Sequence, residues 1–161
     1  MAARPHRAPE GVPMSAQPVT SPLPEAPDLS ALLVDAVTTL AAAACRRSLL
    51  FSVDLDDEPL DVPLPSAAWH DLVVAVLTRA VATLPPGTEV ALSLGRHAGL
   101  VTLRLGDTAP GVAPAGSDGG LTREAVEALG GRLDVTSVAG VGNVVELTWP
   151  AAAPGRHLSV V

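Results

Sequence analysis

Residues 129–150 read LGGRLDVTSVAGVGNVVELTWP. Gly130 and Gly131 close a short helical pattern that runs from about Thr122 to Leu129, and glycine just past the last periodic residue is a left-handed stop. Beyond them Leu133 and Val135 alternate with Asp134 and Thr136. Val145, Leu147 and Trp149 then alternate with Glu146 and Thr148, and Gly140 to Gly142 lie between the two runs. Two period-two runs joined through glycines predict a β-hairpin with one apolar face. That face needs a cover, and the preceding helix supplies part of it.

Working towards the N-terminus, 107–120 is rich in Gly, Pro and Ala and is expected to be loop. Before it, Val90, Leu92 and Leu94, then Val101, Leu103 and Leu105, alternate on either side of a turn at His97 to Gly99, which predicts a second hairpin. Ser66 opens the strongest helical pattern in the chain. Its stripe of Trp69, Leu72, Val73, Val76, Leu77, Ala80, Val81 and Leu84 is stopped by Pro85, Pro86 and Gly87. Residues 54–65 combine acids with three prolines and read as a loop or irregular edge; Phe51, Val53 and Leu55 before them read as a strand with one buried face. Asp28 is placed to cap a helix carrying Leu29, Leu32, Leu33, Ala36, Val37, Leu40 and Ala44, which ends near Arg46 and Arg47.

The order helix, strand, helix, hairpin, loop, helix, hairpin gives three helices and about five strands. Placing all three helices on one face of a mixed sheet buries every apolar stripe, so a two-layer α/β sandwich is expected over residues 28–150. Residues 1–27 carry Pro5, Pro9, Pro13, Pro18, Pro22, Pro24 and Pro27 with little apolar content and are expected to be a disordered tail, with 151–161 a second, frayed tail.

Composition narrows the function classes. A chain of 161 residues with a net charge of −7 lacks the clustered positive charge that nucleic acid or an anionic membrane requires of a partner. With one Phe, two Trp and no Tyr, the core must be aliphatic. There is no lysine, which removes Walker-type and Schiff-base lysine chemistry, and the single cysteine, Cys45, excludes an internal disulfide and a cysteine metal cluster. No signal-peptide pattern is discernible, and no stretch is expected to reach the apolar length of a membrane-spanning helix, so a cytoplasmic location is expected.

The 129–150 segment resembles the end of histidine-kinase-type (GHKL) ATPase domains, in which a helix closes in Gly-Gly and a hairpin turns through Gly-x-Gly before a terminal Pro. Upstream, LRLGDTAPGV resembles the family's D-x-G-x-G box and VLTRAVATLPPGTEV its N-box helix with a Pro-x-Gly exit, so the resemblance covers about residues 29–150 in the right order. It implies that Asp107 stands where the family's aspartate accepts a hydrogen bond from the adenine amino group. On the residues alone, Asp107 equally suits the start of a turn.

The departures bear on the same site. Ala109 replaces the middle glycine of the box, Pro110 stiffens the turn, and Gly111 is kept. Arg79 stands where the resemblance places the magnesium-binding asparagine, and Ala75 where it places the other; a cation is no ligand for an ion that prefers hard oxygen donors. The span between Gly111 and Gly116 is short for a lid, and GSDGGL is only loosely similar to the second glycine box, fitting a phosphate-binding helix start or a plain connector. Gly142 matches the family's turn, and Asn143 replaces a Thr expected beside the base.

No paired helical module with an acceptor histidine fits the chain, although His70-Asp71 on the second helix superficially resembles such a pair. Three readings follow. The first is a degenerate, non-catalytic interaction module of two-component-type signalling that contacts a response regulator, a kinase or a second copy of itself. The second is an ATP- or ADP-binding protein with a shortened lid that works as a kinase or ATPase with a partner; any nucleotide bound at this site is expected to need no magnesium. The third is a phosphotransfer protein. No resident cofactor is expected under the first, and Asp107, Gly111, Gly116, Gly142, Asn143 and Arg79 are the candidate residues of a vestigial nucleotide site.

Overall fold

Each apolar periodicity is realised as an element in a computed structural model, which describes residues 28–109 and 120–152. Helix α1 is Leu29–Arg46, strand β1 Leu50–Leu55, helix α2 Ser66–Thr83, strand β2 Glu89–His97 and strand β3 Leu100–Asp107. Helix α3 is Gly120–Ala128, followed by β4, Arg132–Val138, and β5, Gly142–Pro150.

The caps have local causes. The Asp28 carboxylate accepts from the Ser30 amide at 3.1 Å and fixes the start of α1. Helix α2 stops because Leu84, which precedes Pro85, is pushed to an extended conformation (ψ 142°). The end of α3 uses its two glycines for different reasons. Gly130 takes φ 72° and its amide donates to the Glu127 carbonyl, while the Gly131 amide reaches back to Val126. A Cβ on Gly131 would overlap the indole of Trp149, so the second glycine is there for packing.

The strands form one sheet in the order β1-β2-β3-β5-β4, with β1 parallel to β2 and all other pairs antiparallel. Val90, Leu92, Leu94, Val101, Leu103, Leu105, Leu133, Val145, Leu147 and Trp149 share one face, and all are buried. That face is covered by the helix layer: α1 packs on α2, and Trp69, Leu72, Val73, Val76, Leu77 and Ala80 of α2 and Val126 of α3 join the same core. The expected two-layer α/β sandwich is therefore observed. Truncating a buried leucine of this aliphatic core to alanine is worth about 2–5 kcal/mol.

Several expectations need correction. Strand β1 does not have a buried face, because it is an outer strand: Phe51 and Leu55 are half-buried and Val53 is 39% exposed. The loop after β1 contributes to the core, with Leu60 and Val62 buried; the prolines and acids around them hid this. Helix α3 begins at Gly120, two residues before Thr122. Helix α1, at 18 residues and a mean hydropathy of 1.5, is long and apolar enough to cross a membrane by length and composition, contrary to the expectation that no stretch is. Part of that apolarity belongs to the face with Leu29, Leu33, Ala36 and Ala44, which is buried in the core.

At the C-terminal boundary, the Ala151 amide donates to the Gly99 carbonyl at 2.9 Å and the Ala152 amide to the Asp61 carbonyl at 3.0 Å. The first residues of the expected 151–161 tail are thus held by the fold. A chain spanning 28–152 is expected to melt at the temperature of the full chain. Ending it at Pro150 removes both bonds, each worth about 0.5–1.5 kcal/mol, and is expected to lower the melting temperature by several degrees in thermal denaturation followed by circular dichroism.

Candidate functional site

Strands β3 and β5 run antiparallel with Val101 opposite Trp149, Leu103 opposite Leu147 and Leu105 opposite Val145. Two residues further along the same face the register sets Asp107 opposite Asn143. Period-two alternation thus carries an apolar face to its end and finishes it with a carboxylate and a carboxamide. Both are buried, at 6% and 3% exposure.

The two side chains bond one another. Asn143 Nδ2 donates to Asp107 Oδ1 at 3.0 Å and lies 3.3 Å from both Asp107 Oδ2 and the Ala109 carbonyl oxygen. Asp107 Oδ1 also accepts from the Ala109 amide at 3.0 Å, the short-range turn that aspartate favours at a strand exit. Hydrogen bonds to a carboxylate are stronger than neutral ones, and here they offset part of the cost of burying it. Outside the pair, Thr108 fastens the end of β3 to β2: its amide donates to the Glu89 carbonyl, and its hydroxyl accepts from the Glu89 amide, both at 3.2 Å.

Gly142 makes this geometry attainable. Its φ is 146°, and a Cβ built on it would overlap the Asp107 carbonyl oxygen. The expected role of this glycine in a turn is therefore extended to a close backbone approach beside Asp107. The depression that touches Asp107, Gly142 and Asn143, about 220 Å³, is also lined by Ser52, Ala91, Gly106 and Val144, whose positions belong to the sheet face away from the helices.

Of the other sequence candidates, Arg79 lies half-buried near the end of α2, with its carbonyl accepting from the Thr83 hydroxyl at 2.9 Å. The partners that the Asp107 carboxylate takes among the described residues are Asn143 and Ala109. Gly111 and Gly116 lie outside the described residues. His70 Nε2 sits 3.0 Å from Asp35 Oδ2 on α1, and its Nδ1 lies 3.9 Å from Asp71. This histidine bridges the two helices of the outer layer, a contact that sequence order did not suggest. Among the described residues no group of His, Cys, Asp or Glu is arranged to hold a metal ion.

No protein-family model and no curated protein matches the chain. Solved structures do. The Acinetobacter baumannii histidine kinase AdeS matches with a TM-score of 0.67 at 14% identity, over 78% of this chain and 66% of that one. The mycobacterial sensor histidine kinase MprB matches with a TM-score of 0.60 at 23% identity, over 78% of this chain and 95% of that one. Full-length ShkA in complex with AMPPNP matches with a TM-score of 0.67 at 20% identity, over 80% of this chain but 31% of that one. The chain thus spans just under two thirds of the AdeS structure and about a third of ShkA.

Removing the Asn143 side chain leaves the buried Asp107 carboxylate with fewer donors. Asn143→Ala is expected to destabilise the fold by about 1–3 kcal/mol in urea denaturation. In a double-mutant cycle with Asp107→Ala, the second loss is expected to be smaller than when made alone.

Proposed function

Because the chain has the fold of histidine-kinase catalytic domains, we propose that it works as a degenerate, non-catalytic member of that fold, an interaction module in two-component-type signalling. Its partner under this reading is a response regulator or a kinase, and its compartment is the cytoplasm.

The observation that carries the reading is the occupancy of Asp107. In the family resemblance this carboxylate receives the amino group of adenine. Here the Asn143 carboxamide offers it the same kind of donor from within the chain, at 3.0 Å. A base must then share the carboxylate with a bond that folding has already made.

Arg79 supports the same conclusion from the phosphate end. Where the resemblance expects a neutral oxygen ligand for magnesium, the chain carries a permanent cation, which repels a divalent ion and is of a type suited to phosphate oxygens. Loss of catalysis need not cost the fold, since the aliphatic core is built mostly from other positions.

The test is calorimetric titration of ATP and ADP, with magnesium and with EDTA, alongside a hydrolysis assay. No turnover above a blank and no magnesium-dependent binding are expected. Any residual nucleotide affinity is expected to be unchanged by EDTA and to fall in Arg79→Asn. Tight binding that strictly requires magnesium would instead identify a working nucleotide site, and acid-labile label from γ-labelled ATP lost in His70→Ala would identify a phosphotransfer protein.

A further inference from the structure

Strand β1 is an outer strand of the sheet, and its second edge is not paired by any strand among the described residues. The amides of Leu50 and Asp56 donate across to β2, to Thr88 and Leu94. Backbone groups alternate along a strand, so those of Phe51, Val53 and Leu55 lie on the open edge.

Outer strands are normally blunted by charge, proline or a bulge. The other one, β4, follows that rule. Arg132 and Asp134 form an exposed ion pair at 2.7 Å, in which the Asp134 hydrogen bond and charge raise the guanidinium pKa, and Thr136 and Ser137 are exposed. Strand β1 reads Leu-Phe-Ser-Val-Asp-Leu, without proline or basic residue, and leaves Leu50 62% and Val53 39% exposed. A groove of about 430 Å³ lies beside it, lined by Val37, Ala41, Ala44, Cys45, Leu49 and Phe51 among others.

Charge is distributed along this edge in a self-complementary way. Arg46 and Arg47 precede the strand, and Asp54, Asp56, Asp57 and Glu58 lie at or beyond its far end. Arg47 is turned inwards to the Leu84 carbonyl at 2.8 Å, while Arg46 is exposed. A second strand running antiparallel, with the same charge order, sets its basic start beside this acidic end.

We propose that β1 pairs antiparallel with β1 of a second copy of this chain about a two-fold axis at Val53, joining two sheets into one. In that register Val53 faces its own counterpart and Phe51 faces Leu55 of the second copy. All of these positions have their backbone groups on the open edge, so each pair exchanges two hydrogen bonds. A strand edge alone falls short of the roughly 800 Å² per partner of a standard interface. The groove, with Val37 and Ala41 of α1 in its lining, extends the apolar area. The interface is isologous and closed, so it yields a dimer and no filament. It stands on the far side of β2 from Asp107 and does not depend on what binds there.

Sedimentation velocity of the full chain over a wide concentration range tests this. A species of twice the monomer mass is expected, weakened by added salt. Val53→Lys sets two like charges opposite one another and is expected to weaken association about tenfold or more. Val53→Pro removes an amide that the chain's own ladder does not use and is expected to act alike. Both variants should keep the far-ultraviolet circular dichroism of the wild type; if the proline variant fails to fold, the lysine variant decides. A monomer at every concentration, a dimer indifferent to Val53→Lys, or an edge that captures only a foreign extended peptide would each overturn the proposal.

Discussion

The register between β3 and β5 is the constraint from which the rest of the helix-facing surface follows. Those strands are central, and their pairing fixes which side chains meet the helices from Val101 and Trp149 at one end to Asp107 and Asn143 at the other. A slip of β5 by one residue would turn Val145, Leu147 and Trp149 outwards and bring Val144, Glu146 and Thr148 into the core. Gly142 helps to hold the register, because any side chain there would overlap the Asp107 carbonyl oxygen of β3. At the opposite end Trp149 lies against Gly131 and ties the hairpin to the end of α3. The sheet is therefore held at both ends by a glycine that admits a close neighbour.

Much of this fold was legible before any coordinates, because its elements are marked by regular periods and strong stops. The Trp69-to-Leu84 stripe, the two hairpins and the glycine pair at 130–131 each specify an element from neighbouring residues alone. Strand β1 was legible as a strand but not as an outer one: alternation records which side chains share a face, and only topology decides whether a helix covers them. Leu60 and Val62 were hidden for the opposite reason, since prolines and acids mask two buried anchors in a segment with no period.

The candidate site was legible as positions and not as an arrangement. Asp107 and Gly142 fit the resemblance and Asn143 departs from it, yet nothing in their spacing, a separation of 36 positions from the aspartate to the asparagine, says that these two bond one another. Long-range pairing depends on which strands become neighbours, and β5 reaches β3 because β4, although earlier in sequence, takes the outer place. The same holds for His70 and Asp35, which meet because α1 and α2 pack side by side. Chemistry carried by contacts between distant segments becomes visible only once the topology is known.

The absence of tyrosine, together with the burial of both indoles, has an optical consequence. Trp69 on α2 and Trp149 on β5 are 0% and 1% exposed, and neither ring nitrogen has a hydrogen-bond partner among the described residues. Ultraviolet emission from the native chain therefore comes from two indoles in dry, aliphatic surroundings, one in each layer, with no phenol to overlap them. Separation of the layers wets both rings at once, whereas loosening of the sheet's end near Gly131 wets only one. The chain thus carries its own pair of fluorescent reporters, able to distinguish those two openings without any label.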